Sequence, residues 1–227
     1  MSEKILELSH VLDEIKNENY EKALEILQEI NSKHPKNPDI LYYMGVVNNE
    51  MGHYDEAIGF FKEHIELKPE SSGGLAGLGF AYFQKEDWNS ALQYYERAKD
   101  LSSTVDTLFY LAEIYFELGQ YERSISYYNV ILTEKYGNIM AADEKILLGL
   151  AKNFIALEKP KQALAMLDIC EKYNIKNPLY YRLKGLSLIM MERWEEAISI
   201  LDSYLKIQPD ADDIKELLTK ARSGAKN

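Results

Sequence analysis

The 227-residue chain has a single cysteine, no long apolar run and no surplus of positive charge. One cysteine excludes an intramolecular disulfide and does not supply a cysteine-based zinc site. No apolar run approaches the roughly 20 residues that a membrane-spanning helix needs, so we expect no membrane insertion. The net charge is −11 and no basic stripe is present to neutralise phosphates, which argues against nucleic acid as a partner.

Signals for secretion, metal binding and catalysis are also missing. Residues 1–5 lead directly into a predicted helix without the basic and apolar pattern of a secretory signal, so we expect a cytoplasmic protein. His10, His34, His53 and His64 lack metal-ligand spacing, and we interpret each as an ordinary surface or turn residue. No nucleophile triad or acid/base pair can be recognised, so we expect no catalytic site, no cofactor and no metal.

What the chain does contain is an internal repeat. An aromatic residue followed three places later by a small one recurs six times, with proline in the aromatic place of the fifth unit: Tyr20/Ala23, Tyr54/Ala57, Trp88/Ala91, Tyr121/Ser124, Pro160/Ala163 and Trp194/Ala197. The successive steps are 34, 34, 33, 39 and 34 residues. A period near 34 indicates stacked helical hairpins. Such a stack has no obvious catalytic centre and presents a long surface to a partner.

The second unit, counted from Pro38, has the most complete pattern. Its places 4, 7, 8, 17, 20, 24 and 32 are occupied by Leu41, Met44, Gly45, Tyr54, Ala57, Phe61 and Pro69. This resembles the tetratricopeptide repeat (TPR) family, whose pattern is W-x2-L-G-x2-Y, then A-x3-F, then P. The resemblance implies an all-α fold, an α-solenoid built as a right-handed TPR superhelix of helix-turn-helix hairpins.

We therefore interpret residues 1–227 as a single array. Its units are predicted at about 5–37, 38–71, 72–104, 105–143, 144–177 and 178–210, with a capping helix at 211–223. In the first unit, Leu8, Val11, Leu12 and Ile15 are assigned to the core places of helix A, which makes the turn between its helices one residue shorter. Unit four is longer than its neighbours because of residues 136–140, which form either a hinge or a rigid extension of a helix.

Within each unit, places 4, 7, 8 and 11 form an apolar stripe on helix A, and places 20, 24 and 27 form one on helix B. Small residues at place 8 let helix B come close. Cys170 falls at place 27 and is interpreted as a small buried residue. Residues 71–79 are rich in glycine, and they predict either a pocket floor or a tight contact between repeats.

The family resemblance implies that helix A lines a concave groove, which places 2, 5, 9 and 12 would face. From these places we select the candidate partner-binding residues Asp39, Tyr42, Asn49, Phe80, Phe83, Asp106, Phe109, Glu113, Phe116, Lys152 and Arg182. Exposed contiguous aromatic residues mark interaction sites. The alternative is that tight superhelical curvature buries these aromatic side chains between neighbouring helices.

Charge is uneven along the chain. Residues 1–104 carry 19 acidic and 10 basic side chains, and residues 105–227 carry 18 and 16. The acidic half either steers a basic partner or keeps the surface soluble. Along the groove the sign changes from acidic to basic at Lys145, so we expect acidic residues of a partner to meet the basic end.

The predicted function is a non-enzymatic scaffold or adaptor that binds a peptide or helix of another protein in this groove. Two alternatives stay open. The chain is a structural scaffold that self-associates, or it is a chaperone that holds an aggregation-prone client.

Overall fold

The computed structural model describes residues 3–136, 143–173 and 177–226, which form thirteen α-helices and no strand. The helices are α1 Glu3–Lys16, α2 Tyr20–Lys33, α3 Pro38–Glu50, α4 Tyr54–Leu67, α5 Ser72–Gln84, α6 Trp88–Leu101, α7 Val105–Glu117, α8 Tyr121–Ile131, α9 Glu144–Ala156, α10 Pro160–Lys172, α11 Pro178–Met190, α12 Trp194–Leu205 and α13 Asp212–Gly224. A π-helical turn, Leu132–Tyr136, follows α8. Residues 137–142, which include most of the predicted hinge or extension, lie outside the described residues.

The chain divides into two compact units, Met1–Ile114 and Tyr115–Asn227, which we call unit 1 and unit 2. In unit 1, α1 packs on α2, α3 on α4 and α5 on α6; in unit 2, α9 packs on α10 and α11 on α12. Each unit has its own buried apolar core. The single array of residues 1–227 stays a prediction.

A turn of three residues joins the two helices of each hairpin, and its middle residue has a positive φ. These residues are Glu18, Gly52, Glu86, Gly119, Glu158 and Glu192. The last amide of the turn donates to the carbonyl five residues earlier, as from His53 to Asn48 at 2.8 Å, which satisfies the end of helix A. Left-handed backbone favours glycine, so the four glutamates carry local strain.

The turn after α1 corrects the assignment of the first repeat. Residues 17–19 form a turn of the usual length, so the predicted shorter turn is wrong and this repeat begins one residue earlier. Val11 is fully buried in this frame, whereas Leu12 is 44% exposed and is not a core residue. Apolar character misassigned Leu12 because α1 carries leucine on an exposed face next to the buried Val11.

Glycines at place 8 receive large side chains from helix B of the same hairpin, as predicted. A Cβ atom added at Gly45 would lie 2.8 Å from the Phe61 ring, and one added at Gly79 would lie 2.8 Å from the Tyr95 ring. Both distances are shorter than van der Waals contact. Only a residue without a side chain lets the two helices approach this closely.

The following hairpin closes on the same side chain from the other side. A Cβ atom added at Gly77 of α5 would lie less than 3.0 Å from the Phe61 ring. The glycine-rich segment 71–79 therefore makes a tight contact between repeats. Its residues Ser72, Gly73, Ala76 and Gly77 also line a pocket, so both predicted alternatives apply. Helix A is also buried at places 3 and 10, as at Ile40 and Val47, a face that the four-place stripe did not include.

Two helical glycines should respond oppositely to alanine. Gly77→Ala should lower the free energy of unfolding by about 1–3 kcal/mol, because the buried Phe61 ring cannot move away. Gly59→Ala in α4 is the matched control, since a Cβ atom added at Gly59 would meet no neighbouring side chain within 4 Å. It should raise stability by up to about 1 kcal/mol through helix propensity. Urea denaturation measures both free energies of unfolding. Equal effects of the two substitutions would contradict the close packing of Phe61 against Gly77.

The strained turns yield a second prediction. Glu86→Gly should raise the free energy of unfolding by about 0.5–1 kcal/mol, because it relieves left-handed strain at some cost in unfolded-state entropy. Gly52→Ala in the equivalent turn should lower it by about 1 kcal/mol. Thermal and urea unfolding test the pair, and a loss of stability in Glu86→Gly would refute the argument.

Candidate partner-binding groove

Two adjoining pockets lie along the first helices of the unit 1 hairpins. The first, of about 530 Å³, is lined by α3, α5 and α7, and the second, of about 520 Å³, is lined by α1, α3 and α5. Tyr42 and Gly73 line both, so we treat the pockets as one surface, the unit 1 groove. Its principal lining residues are Leu8, Leu12, Asp39, Tyr42, Asn49, Glu50, Ala76, Phe80, Asp106 and Tyr110.

Five predicted site residues line this groove. They are Asp39, Tyr42, Asn49, Phe80 and Asp106. They come from three different repeats, and packing of the helices brings them together.

Three further predicted residues of unit 1 lie beside the pockets. Phe83 and Phe109 contact Tyr110, which lines the first pocket. Glu113 acts on Tyr110 electrostatically. Leu8 and Leu12 extend the apolar surface beyond the predicted set, which is why their assignment to the core was wrong.

Tyr110 is the centre of the aromatic cluster, and the sequence analysis did not select it. Its ring centroid lies 5.5 Å from Phe80, 5.2 Å from Phe83, 5.6 Å from Phe109 and 5.2 Å from Tyr95. The Tyr95 ring is stacked on it, whereas the three phenylalanines meet it edge to face. Phe80, Phe83 and Phe109 are half-buried. These aromatic side chains are therefore neither fully exposed nor fully buried between neighbouring helices.

The place of Tyr110 in the repeat explains its role. It stands at place 6, which the equivalent Gly77 and Gly149 leave without a side chain. Gly149 of α9 lies against the Tyr128 ring, as Gly77 lies against Phe61. Tyr110 instead stacks on Tyr95 of the helix B before it. Because Tyr43 occupies the same place in the second repeat, the residue type alone did not signal this role.

Negative charge acts on the Tyr110 hydroxyl. Burial raises the pKa of Tyr110, and the carboxylates of Asp106, Glu50 and Glu113 raise it further. Neither Glu50 nor Asp106 forms an ion pair with a basic side chain in the described part of the chain. Asp39 differs, because its Oδ1 lies 2.6 Å from Lys68 Nζ.

Asn49 supplies a buried polar group to the wall of the first pocket. It is 7% exposed, and its Nδ2 donates a hydrogen bond of 2.9 Å to the Gly77 carbonyl. Since that carbonyl only accepts, the amide nitrogen must face it. Oδ1 is buried and has no hydrogen-bond partner among the described residues. The amide therefore ties α3 to α5 and leaves one acceptor without a donor.

His64 corrects another expectation, because it is buried rather than an ordinary surface or turn residue. Its Nδ1 lies 2.7 Å from the Pro38 carbonyl oxygen, and its Nε2 lies 2.7 Å from Ser71 Oγ. The carbonyl can only accept, so Nδ1 carries the proton and, in the neutral ring, Nε2 accepts from Ser71. Ser71 Oγ also accepts from the Gly74 amide at the start of α5. This network joins consecutive hairpins beneath the second pocket.

Three predicted residues belong to unit 2. Lys152 Nζ lies 3.6 Å from the Phe116 ring centroid and 3.1 Å from Glu117 Oε1. Arg182 Nε lies 3.9 Å from Asp213 Oδ2. Both predicted cations thus already have acidic partners within the chain, which reduces the charge that they offer to an acidic segment.

Other classes of site were searched in the described ranges. No helix among them is long and apolar enough to cross a membrane. The same residues hold no group of three or more histidine, cysteine, aspartate or glutamate side chains placed to bind a metal ion.

Comparisons with known proteins find the same repeat throughout the chain. Family models described as tetratricopeptide repeat match residues 14–76, 77–138 and 148–212. The N-terminal acetyltransferase A complex subunit-like protein of Schizosaccharomyces pombe is 24% identical over 129 residues. The aligned segment covers 56% of this chain but 19% of that protein, so the chain spans about a fifth of the relative's length.

Solved structures show the fold. The Pseudomonas aeruginosa pilF structure has a TM-score of 0.78 at 13% identity, covering 95% of this chain and 96% of that chain. YrrB, described as a TPR protein with an unusual peptide-binding site, has a TM-score of 0.67 at 15% identity, covering 84% and 96%. The predicted all-α fold of repeated helical hairpins is confirmed.

The His64 network predicts unequal effects at two adjacent serines. Ser71→Ala should lower the free energy of unfolding by about 1–2 kcal/mol, because it removes the cap of α5 and leaves His64 Nε2 without its partner. Ser72→Ala, the control, should change stability by less than about 0.5 kcal/mol. Urea denaturation compares the two, and equal values would rule out the network.

Proposed function

Because the chain belongs to the tetratricopeptide repeat family, we propose that it is a non-enzymatic protein-interaction scaffold whose unit 1 groove binds a segment of a partner protein. The observation that carries this proposal is the half-buried aromatic cluster on the wall of the first pocket. Clustered aromatic side chains in a concave, partly desolvated surface provide most of the binding energy of many interfaces.

The shape of the groove indicates the form of the occupant. Its two pockets extend over α1, α3, α5 and α7 and have volumes of about 530 and 520 Å³. A surface that crosses several parallel elements suits an elongated occupant, either an extended segment or a helix with one apolar face. YrrB, which shares the fold, is described as having a peptide-binding site, and this supports a peptide segment here.

The chemistry of the buried groups supports a binding role rather than a catalytic one. Burial raises the pKa of the Cys170 thiol to about 11, so little nucleophilic thiolate is present at neutral pH. Glu29 and Glu196 are exposed, and hydrogen bonds from neighbouring basic side chains lower their pKa values. Glu14 is buried, and hydrogen bonds from Lys22 and Asn19 lower its pKa. These are ordinary ion pairs, and none lies in the groove.

A steric variant tests the groove. Ala76 is half-buried and lines the first pocket, so Ala76→Trp should fill the space and reduce capture of partner proteins from the source lysate by about tenfold or more. Gly59→Trp is the control, since Gly59 is exposed on α4 and has open space around it. Quantitative mass spectrometry of captured proteins measures the effect, after circular dichroism has shown that both variants are folded.

The outcomes separate the candidate functions. Proteins retained by the wild type and Gly59→Trp but lost by Ala76→Trp support groove binding. Equal capture by all three contradicts it. Capture of copies of the chain alone favours a self-assembling scaffold.

A further inference from the structure

The first pocket of the unit 1 groove contains negative charge without a compensating cation. Its lining includes the carboxylates of Glu50 and Asp106, and no lysine, arginine or histidine is present among the described residues that line it. Neither carboxylate has a basic partner in the described part of the chain. The first pocket therefore keeps a negative potential, whereas Asp39 in the second pocket is paired with Lys68.

The aromatic side chains add to this potential. Tyr42, Phe80 and Tyr110 line the same pocket, and the faces of aromatic rings attract cations. The carboxylates already act on one of these rings, since they raise the pKa of Tyr110. Because the carboxylates and the rings line one pocket, a single group in that pocket meets both.

Asn49 provides an independent sign that a donor is missing. Its Oδ1 is buried at the pocket wall without a hydrogen-bond partner, while its Nδ2 is held by the Gly77 carbonyl. An unpaired buried acceptor costs free energy. Oδ1 has almost no exposed surface, so a donor recovers that free energy only if the pocket wall opens toward it. Acceptors and ring faces together select a group that is positively charged, donates hydrogen bonds and stacks.

Unit 2 shows how the chain itself satisfies a similar arrangement. Lys152 lies over the Phe116 ring and pairs with Glu117, so a ring, a carboxylate and a cation meet there. Lys152 stands at place 9 of its repeat, and Phe80 stands at that place in the third repeat. In unit 1 another ring stands at that place, and none of the described residues that line the first pocket supplies a cation.

We infer that the first pocket of the unit 1 groove binds an arginine side chain from a basic segment of a partner protein. The inference rests on the proposed function, because it assigns the chemistry of the segment that the groove takes. Arginine is preferred to lysine because its planar guanidinium stacks on rings and presents several donors to carboxylate and amide oxygens.

A peptide-display selection with random peptides tests the inference on the full chain. Peptides retained by the wild type should be enriched in arginine. Their dissociation constants, measured by fluorescence anisotropy, should rise about tenfold when each arginine is replaced by citrulline, which keeps the shape and removes the charge.

Two double charge reversals distinguish the site from the overall charge of the protein. Glu50→Lys with Asp106→Lys should weaken binding about tenfold or more. Glu63→Lys with Glu66→Lys changes the net charge equally on exposed positions of α4 that do not line the groove, and it should leave affinity within about twofold.

The results also separate this inference from the proposed function. Neutral or acidic peptides that Ala76→Trp displaces would overturn the arginine site and leave groove binding intact. Peptides that bind regardless of Ala76→Trp, or the recovery of no peptide, would count against both. Equal weakening by the two charge reversals would show attraction to net charge alone and overturn the inference.

Discussion

The Phe61 side chain lies in a slot between Gly45 of its own hairpin and Gly77 of the next, and much of unit 1 depends on this contact. The ring is fully buried, and a Cβ atom at either glycine would overlap it. Each helical glycine costs up to about 1 kcal/mol of helix propensity relative to alanine. Close packing of a large ring on both sides offsets that cost, because buried aromatic area is the largest single contribution that a side chain makes to a core.

The same contact positions the candidate site. Because α5 lies close to Phe61, the Gly77 carbonyl comes within hydrogen-bond distance of Asn49 on α3. His64, one turn after Phe61, joins Pro38 at the start of α3 to Ser71 at the cap of α5. The groove floor is therefore built from the contacts that hold consecutive hairpins together, and its shape is coupled to the stability of the repeat.

Departures from the repeat, rather than the repeat itself, determine the chemistry of the groove. At place 6, Gly77 packs against the side chain of the preceding helix B, Phe61. Tyr110 at the same place of the next repeat stacks on Tyr95 and contacts three phenylalanines. At place 9 the third repeat has Phe80 and the fifth has Lys152. Place 6 packs against helix B, so its residue alters the packing there, as Gly77 and Tyr110 show. Place 9 is only half-buried, so its residue can change from one repeat to the next while the fold is preserved.

The sequence by itself determined the period, the order of helices and the small residues at place 8. These follow from helical spacing within about 34 residues, which the local pattern reports directly. The family resemblance implied that Asp39, Tyr42, Asn49, Phe80 and Asp106 share one surface, and the packing of three repeats brings them together. Only the tertiary structure decided that Leu12 is exposed, that His64 is buried, that Tyr110 organises the aromatic cluster and that Lys152 and Arg182 have acidic partners. Each of these depends on a neighbour from another helix, and in most cases from another repeat. The spacing within one helix tells which face a side chain occupies, but it does not tell what lies opposite.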